Sequence, residues 1–224
     1  MSQAAVKALL FDIDGTLADT DALHLAAFNQ VLGPRGHIFD HHRFAKELQG
    51  FSNASIGERF LADEPSERRA AMLDEKEQIF RTLVAGQIRP LPGLMPLLAE
   101  ADRAGIPIVA VTNAPRLNAE LLLSGLGIAD RFKSVVIGDE LAHGKPHPMP
   151  YLEGLRAVGA IAHASLAFED SRSGVQAAAA AGIAVIGMRT GLSHADLVAA
   201  GAVATARDFD DPELLTRVAS AMQW

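Results

Sequence analysis

The 224-residue sequence contains no cysteine, which excludes a disulfide framework, a thiol nucleophile and a thiolate zinc site. It also lacks any block of lysine or arginine. Its 20 basic residues are outnumbered by 27 acidic ones, giving a formal charge of -7. Nothing here resembles the basic stripe that neutralises a run of phosphates, so no nucleic-acid partner is expected. Long apolar runs are missing as well. The apolar stretch Ala177 to Ile186 is too short to span a bilayer and is broken by Gly182, so it reads as a buried helix followed by a strand. No membrane association is expected. Met1 to Lys7 leads into an apolar run that reaches Asp12 and Asp14 too early for a signal peptide, which makes cytoplasmic residence the expectation. Neither a fixed-period repeat nor a low-complexity tail is present.

What is present is enough apolar material for a full core: 49% of residues are hydrophobic and 21% charged. The length fits one domain or a core with a modest insertion, and two large domains would be crowded. Val6 to Ile13 reads as a buried strand ending in carboxylates, with Gly15 at the turn that follows. Comparable strand segments recur at Ile106 to Val111, Ser134 to Ile137, Leu166 to Phe168 and Ile183 to Met188. Leu117 to Leu126, Pro148 to Val158 and Arg172 to Ala181 supply crossover helices, and Ala202 to Thr205 and Pro212 to Met222 add a short strand and a last helix. This pattern predicts an α/β fold: a Rossmann-like three-layer α/β/α core with a doubly wound parallel sheet. Residues 19–89 have a different rhythm. Ala22 to Leu32, Arg43 to Gln49, Ile56 to Leu61 and Ser66 to Val84 favour helices, a polar turn covers Gly50 to Asn53, and no strand intervenes. The expected organisation is a core of residues 1–18 and 90–224 with a helical cap inserted at 19–89.

The chemistry-bearing residues stand at predicted strand ends. Asp12 and Asp14 close the first strand, where the turn decides whether both carboxylates face one crevice. By itself this segment is equally a polar capped turn. Thr112 and Asn113 end the strand that begins at Ile106, and either bind a phosphoryl oxygen or cap a helix. Lys145, in Gly-Lys-Pro-His-Pro, is either aimed at an anionic centre or solvated. Glu169 and Asp170 offer hard oxygen ligands suited to magnesium, or a helix N-terminal cap before Ser173. Their order at successive strand ends favours chemistry over coincidence.

Four motifs in sequence order are similar to those of the haloacid-dehalogenase-like hydrolase superfamily, especially its helical-cap phosphatases and phosphomutases. They are Phe-Asp-Ile-Asp-Gly-Thr-Leu-Ala-Asp-Thr at Phe11 to Thr20, Val-Thr-Asn at Val111 to Asn113, Lys145, and Phe-Glu-Asp-Ser at Phe168 to Ser171. The resemblance spans nearly the whole chain. It implies Asp12 as nucleophile, Asp14 as general acid and base, Thr112 and Asn113 in phosphate binding, and Lys145 as the neutralising cation. The same resemblance implies magnesium held by Asp12, the Asp14 carbonyl and Asp170, with Glu169 bound directly or behind them. The partner it implies is a small phosphorylated metabolite, a sugar phosphate or a phosphoglycolate-like ester. Asp14 favours ester hydrolysis over carbon–halogen cleavage, because dehalogenases lack the second acidic residue.

Specificity rests with the cap. His24, Asn53 and Arg116 are the candidate substrate contacts. Against that role, His24 fits interdomain packing, Asn53 a turn and Arg116 a solvated helix surface. Phe28 and Phe51 read as packing residues, and His41 with His42 do not form a zinc motif. The competing activity is a β-phosphoglucomutase-like phosphomutase, and a catalytically silent metal-binding protein is the remaining alternative. Gln49 and Asn53 are neutral where the resembling β-phosphoglucomutases carry a lysine and an arginine, and Ala114 and Pro115 replace their Ser-Lys pair. Hydrolysis is therefore expected over isomerisation. Monomer and homodimer remain equally open.

Overall fold

The computed structural model describes residues 7–222, so Val6 and the Met1 to Lys7 leader reading fall outside it except for Lys7. Six strands form one parallel sheet: β1 (Leu9–Phe11), β2 (Ile108–Thr112), β3 (Phe132–Ile137), β4 (Leu166–Glu169), β5 (Ala184–Met188) and β6 (Ala204–Ala206). Their order is β3-β2-β1-β4-β5-β6, so β1 is central and pairs with β2 on one side and β4 on the other. Connections reverse direction beside β1. In an open α/β sheet that reversal leaves a crevice at the carboxyl ends of the strands.

The central strands are apolar on both faces because helices cover both. Leu9 and Phe11 face a cluster with Ile108, Ala110, Phe168 and Ile186, roofed by α5 (Leu94–Ala104), α6 (Arg116–Gly125) and α10 (Pro212–Met222). Leu10 points the other way, toward Val109, Val111, Ala167 and Val185 under α7 (Met149–Val158), α8 (Arg172–Ala180) and α9 (His194–Ala200). Phe11 stacks on Phe168 at 4.7 Å between ring centroids, which ties β1 to β4 immediately below the crevice.

Between β1 and α5 lie α1 (Asp21–Leu32), α2 (His41–Glu47), α3 (Asn53–Phe60) and α4 (Ser66–Val84). They enclose a third core containing Phe28, Leu32, Phe44, Leu48, Phe60 and Leu73. The Leu91 N–H donates to the Leu17 carbonyl at 2.9 Å, so this segment leaves and rejoins the sheet layer side by side.

The sequence pattern overlooked two helices, α5 and α9. Pro96 lies in the first turn of α5, where a missing N–H costs nothing, although it reads as a breaker beside Pro92 and Gly93. The other helix, α9, has only seven residues after its Ser193 cap. Asn53, expected in a turn, begins α3 instead, because the Ser52 side chain caps that helix by accepting from the Ser55 N–H. Among the described residues, no helix is long and apolar enough to cross a membrane.

Candidate active site

The chain turns sharply after β1. Asp12 follows the strand with its N–H bonded to the Phe168 carbonyl, and Gly15 N–H bonds to the Ala18 carbonyl. Gly15 has φ +72°, and a Cβ there would meet Asp170 Oδ2 at 2.0 Å. Only glycine fits both the left-handed backbone and that approach. The turn therefore brings the first acidic segment against the end of β4.

Lys145 is the centre of the site. Its ammonium donates to Asp12 Oδ1 at 2.6 Å, to the Val111 carbonyl at 2.7 Å and to Glu169 Oε1 at 2.5 Å. Burial works against this charge, but Asp12 and Glu169 outweigh it and push the lysine pKa up. Glu169, fully buried, also accepts from the Tyr151 hydroxyl at 2.7 Å and the Ser171 hydroxyl at 3.2 Å. The Asn113 side chain fixes the lysine's own backbone: Oδ1 accepts from the Lys145 N–H, and Nδ2 donates to the Lys145 and Gly50 carbonyls. That amide is consumed by the protein. Thr112 Oγ1 accepts from the Ala114 N–H at 2.9 Å, which leaves its own O–H free to donate into the pocket.

Asp12, Glu169 and Asp170 offer carboxylate oxygens all within 4.8 Å of one another. Burial first, then the neighbouring acids, push Asp12 and Asp170 well above the ordinary carboxylate range, although Lys145 pulls Asp12 the other way. Such a hard, oxygen-only set of mutually repelling carboxylates fits magnesium. Asp21 stands beside it. Burial and the charges of Asp19 and Asp14 push its pKa up to about 7.

Asp14 turns away from this cluster. Its Oδ1 accepts from the Thr20 hydroxyl at 2.8 Å and lies 2.9 Å from His24 Nε2. Burial works to raise its pKa, yet His24 and Thr20 outweigh burial and hold it below its ordinary value. His24 stacks on Phe80, and its Nδ1 lies 2.9 Å from the buried Lys76 ammonium. A protonated lysine makes Nδ1 the acceptor, so Nε2 carries the proton toward Asp14. Lys76 also donates to Glu77 Oε1 at 2.9 Å.

Thus Asp12, Asp14, His24, Asn53, Thr112, Asn113, Lys145 and Asp170 line one pocket, with Glu169 behind Lys145. Arg116 is not among them. It lies exposed on α6, its guanidinium held by Glu140 at 2.7 and 2.6 Å. Phe28 and Phe51 line the pocket, whereas His41 and His42 are exposed at the start of α2. Asp21, Lys76 and Glu77 are pocket residues that the motifs did not reveal. A signal existed for the last two: with Leu73, Phe80 and Val84 they fall on the buried face of α4, where charged residues are out of place.

A haloacid dehalogenase-like hydrolase family model matches residues 6–182, most of the chain and all four strand-end motifs. The chain belongs to the haloacid dehalogenase-like hydrolases. Within this family it is 34% identical over 191 residues to Protein CbbY of Rhodobacter capsulatus, covering 81% of this chain and 84% of that protein. It is 30% identical over 199 residues to a phosphoglycolate phosphatase of Yersinia pseudotuberculosis, covering 87% and 86% of the two chains. A crystal structure of CbbY from Rhodobacter sphaeroides in complex with phosphate superposes with a TM-score of 0.80 at 31% identity, over 92% of this chain and 96% of that one. The fold and the carboxylate cluster of a haloacid dehalogenase-like hydrolase are therefore both present.

Proposed function

We propose that this enzyme is a magnesium-dependent phosphatase that hydrolyses a small phosphomonoester through a phosphoryl group carried on Asp12. The observation that carries the reading is the Lys145 ammonium bonded at once to Asp12 and Glu169, with Asp170 and Thr112 beside them at neighbouring strand ends. The family and the phosphate-bound CbbY structure support it. So does the relative that is a phosphoglycolate phosphatase.

Asp12, Asp170 and the Asp14 carbonyl would hold magnesium, with Glu169 bound directly or behind them, and the ion would supply electrophilic stabilisation of the transferring phosphoryl group. The protein does the rest. Asp12 attacks phosphorus as the ester P–O bond breaks, while the Thr112 hydroxyl donates to a phosphoryl oxygen and the Lys145 ammonium, bonded to Asp12 and Glu169, offsets the negative charge by proximity. Asp14 takes up a proton from solvent as the substrate enters and passes it to the departing alcohol. It rests ionised beside His24, and the negative charge of an entering phosphate raises its affinity for that proton. In the second half Asp14 takes a proton from water, which attacks the aspartyl phosphate and restores Asp12.

Residues 19–89 act in this reading as a cap that closes over residues 1–18 and 90–224 and excludes bulk water. A cytoplasmic setting agrees with the sequence reading. Hydrolysis is favoured over isomerisation because Gln49 and Asn53, the neutral cap-loop residues, bond to Asp170 and Glu77 and offer no charged grip on a second phosphate.

The test is phosphate release from a panel of phosphomonoesters with magnesium, run beside Asp12→Asn. Turnover is expected in the wild type and a loss of at least about a thousandfold in the variant, without loss of fold. Retained activity in the variant would overturn the assignment. β-Glucose 1-phosphate with catalytic glucose 1,6-bisphosphate separates the activities: rapid glucose 6-phosphate formation with little free phosphate would establish a mutase instead.

A further inference from the structure

The pocket wall opposite Asp12 comes from the helical segment, and its hydrogen-bonding capacity is one-sided. Lys76 is the cation that this wall supplies, and a lysine ammonium has three N–H donors. One meets His24 Nδ1, one meets Glu77 Oε1, and the nitrogen sits 4.1 Å from the centre of the Phe28 ring. The ring face occupies the third direction. Among the described residues no arginine lines the pocket, since Arg116 is bound to Glu140 and Arg81 donates to Asn118. A second anionic group on a substrate would meet no uncommitted cation on this wall.

An acceptor, by contrast, is left open. A carboxylate has about four acceptor positions. Glu77 fills three: Lys76 and Asn53 donate to Oε1, and Asn118 donates to Oε2 at 2.6 Å. Burial works to raise its pKa, but Lys76, His24 and Asn53 outweigh burial and hold it below the ordinary value, so it is ionised. Gln49 is also buried in the pocket wall. Its Nε2 donates to Asp170 Oδ2 at 2.6 Å and Asp21 Oδ2 at 3.0 Å, while its Oε1 is buried with no hydrogen-bond partner among the described residues. With Asp170 and Asp21 ionised, as they are when they hold a cation, this orientation aims the amide N–H groups at both carboxylates. Gln49 thus braces the acidic cluster, and the open acceptor position of this wall is that of Glu77. Phe51, partly exposed, adds apolar surface to the pocket lining.

We propose that the leaving group is an uncharged polyhydroxylated one, so that the substrate is a sugar or polyol monophosphate. Glu77 is then a specificity-determining residue that accepts a substrate hydroxyl and repels a second phosphate or a carboxylate. This rests on the phosphatase reading above and narrows it. A site built on a hydroxyl acceptor also rejects analogues that leave that acceptor unpaired.

The test measures kcat/KM with magnesium for fructose 1-phosphate, phosphoglycolate and fructose 1,6-bisphosphate, with p-nitrophenyl phosphate as a minimal ester and acetyl phosphate as a minimal acyl phosphate. The wild type is expected to favour fructose 1-phosphate over each doubly anionic competitor by at least about tenfold. In Glu77→Gln that ratio should fall by about tenfold or more, whatever loss both substrates share. A purely structural role would lower both together and leave the ratio fixed, which would overturn the assignment to Glu77. The wild-type ratio decides the substrate class without any variant. A ratio at or below one, with the minimal substrates turned over, sinks the class and leaves the phosphatase standing. Silence on every ester and on acetyl phosphate sinks both.

Discussion

Lys145 spends all three N–H donors inside the protein, on Asp12, Glu169 and the Val111 carbonyl. Removing it leaves two buried carboxylates facing each other without a cation. Breaking a buried pair from one side costs about 3–5 kcal/mol. Lys145→Ala should therefore lose stability on that order as well as activity, as read by urea unfolding, and a variant as stable as the wild type would show that water replaces the ammonium. Asp12, Asp14, Thr112, Lys145 and Asp170 were legible in the sequence because each closes or follows an apolar strand. The pair Lys76 and Glu77 was not, since adjacent opposite charges on a helix look solvated until their neighbours are known. Arg116 shows the converse. It is three residues from Asn113 in sequence, yet the start of α6 sends it outward to Glu140 rather than inward.

At the scale of elements, one contact that seats the helical segment on the sheet layer is the carbonyl of Gly50, which accepts from Asn113 Nδ2 and the Ser173 hydroxyl. Gly50 has φ +76°, and a Cβ would lie 2.4 Å from Ser171 Oγ and 2.5 Å from Ser173 Oγ. Both the backbone and the space demand glycine. Gly50→Ala should lift this loop from the start of α8, raising KM and lowering kcat/KM by about tenfold or more, as expected when a catalytic site is incompletely closed. Circular dichroism should show unchanged helix content. Wild-type kinetics would mean that the loop reseats elsewhere. The helices on either side were readable from the sequence, but this docking contact was not, because it joins a loop near residue 50 to Asn113 and to the first turn of α8, both distant in sequence.

For the whole molecule, the site stores charge repulsion that metal and proton compete to relieve. Asp12, Asp21 and Asp170 all hold protons more tightly when folded than an ordinary carboxylate does. From about pH 4 upward the unfolded chain releases these protons first, so metal-free stability should fall as pH rises toward the Asp21 value of about 7. Magnesium needs the ionised form. Its stabilising effect should therefore be larger at pH 8 than at pH 5, by about 5 °C or more in Tm. An equal gain at both values would show that these carboxylates are not linked to the ion. The central position of β1 has a further consequence, one of timing. Its first partner, β2, is synthesised roughly a hundred residues later and β4 later still, a delay of about 5–20 s at ribosomal rates before the first strand can pair. In that interval the segment from α1 to α4 already has its own apolar core, and the Leu17–Leu91 hydrogen bond joins its ends. During synthesis that segment acts as its own staple, shortening the loop that β1 must close to find β2.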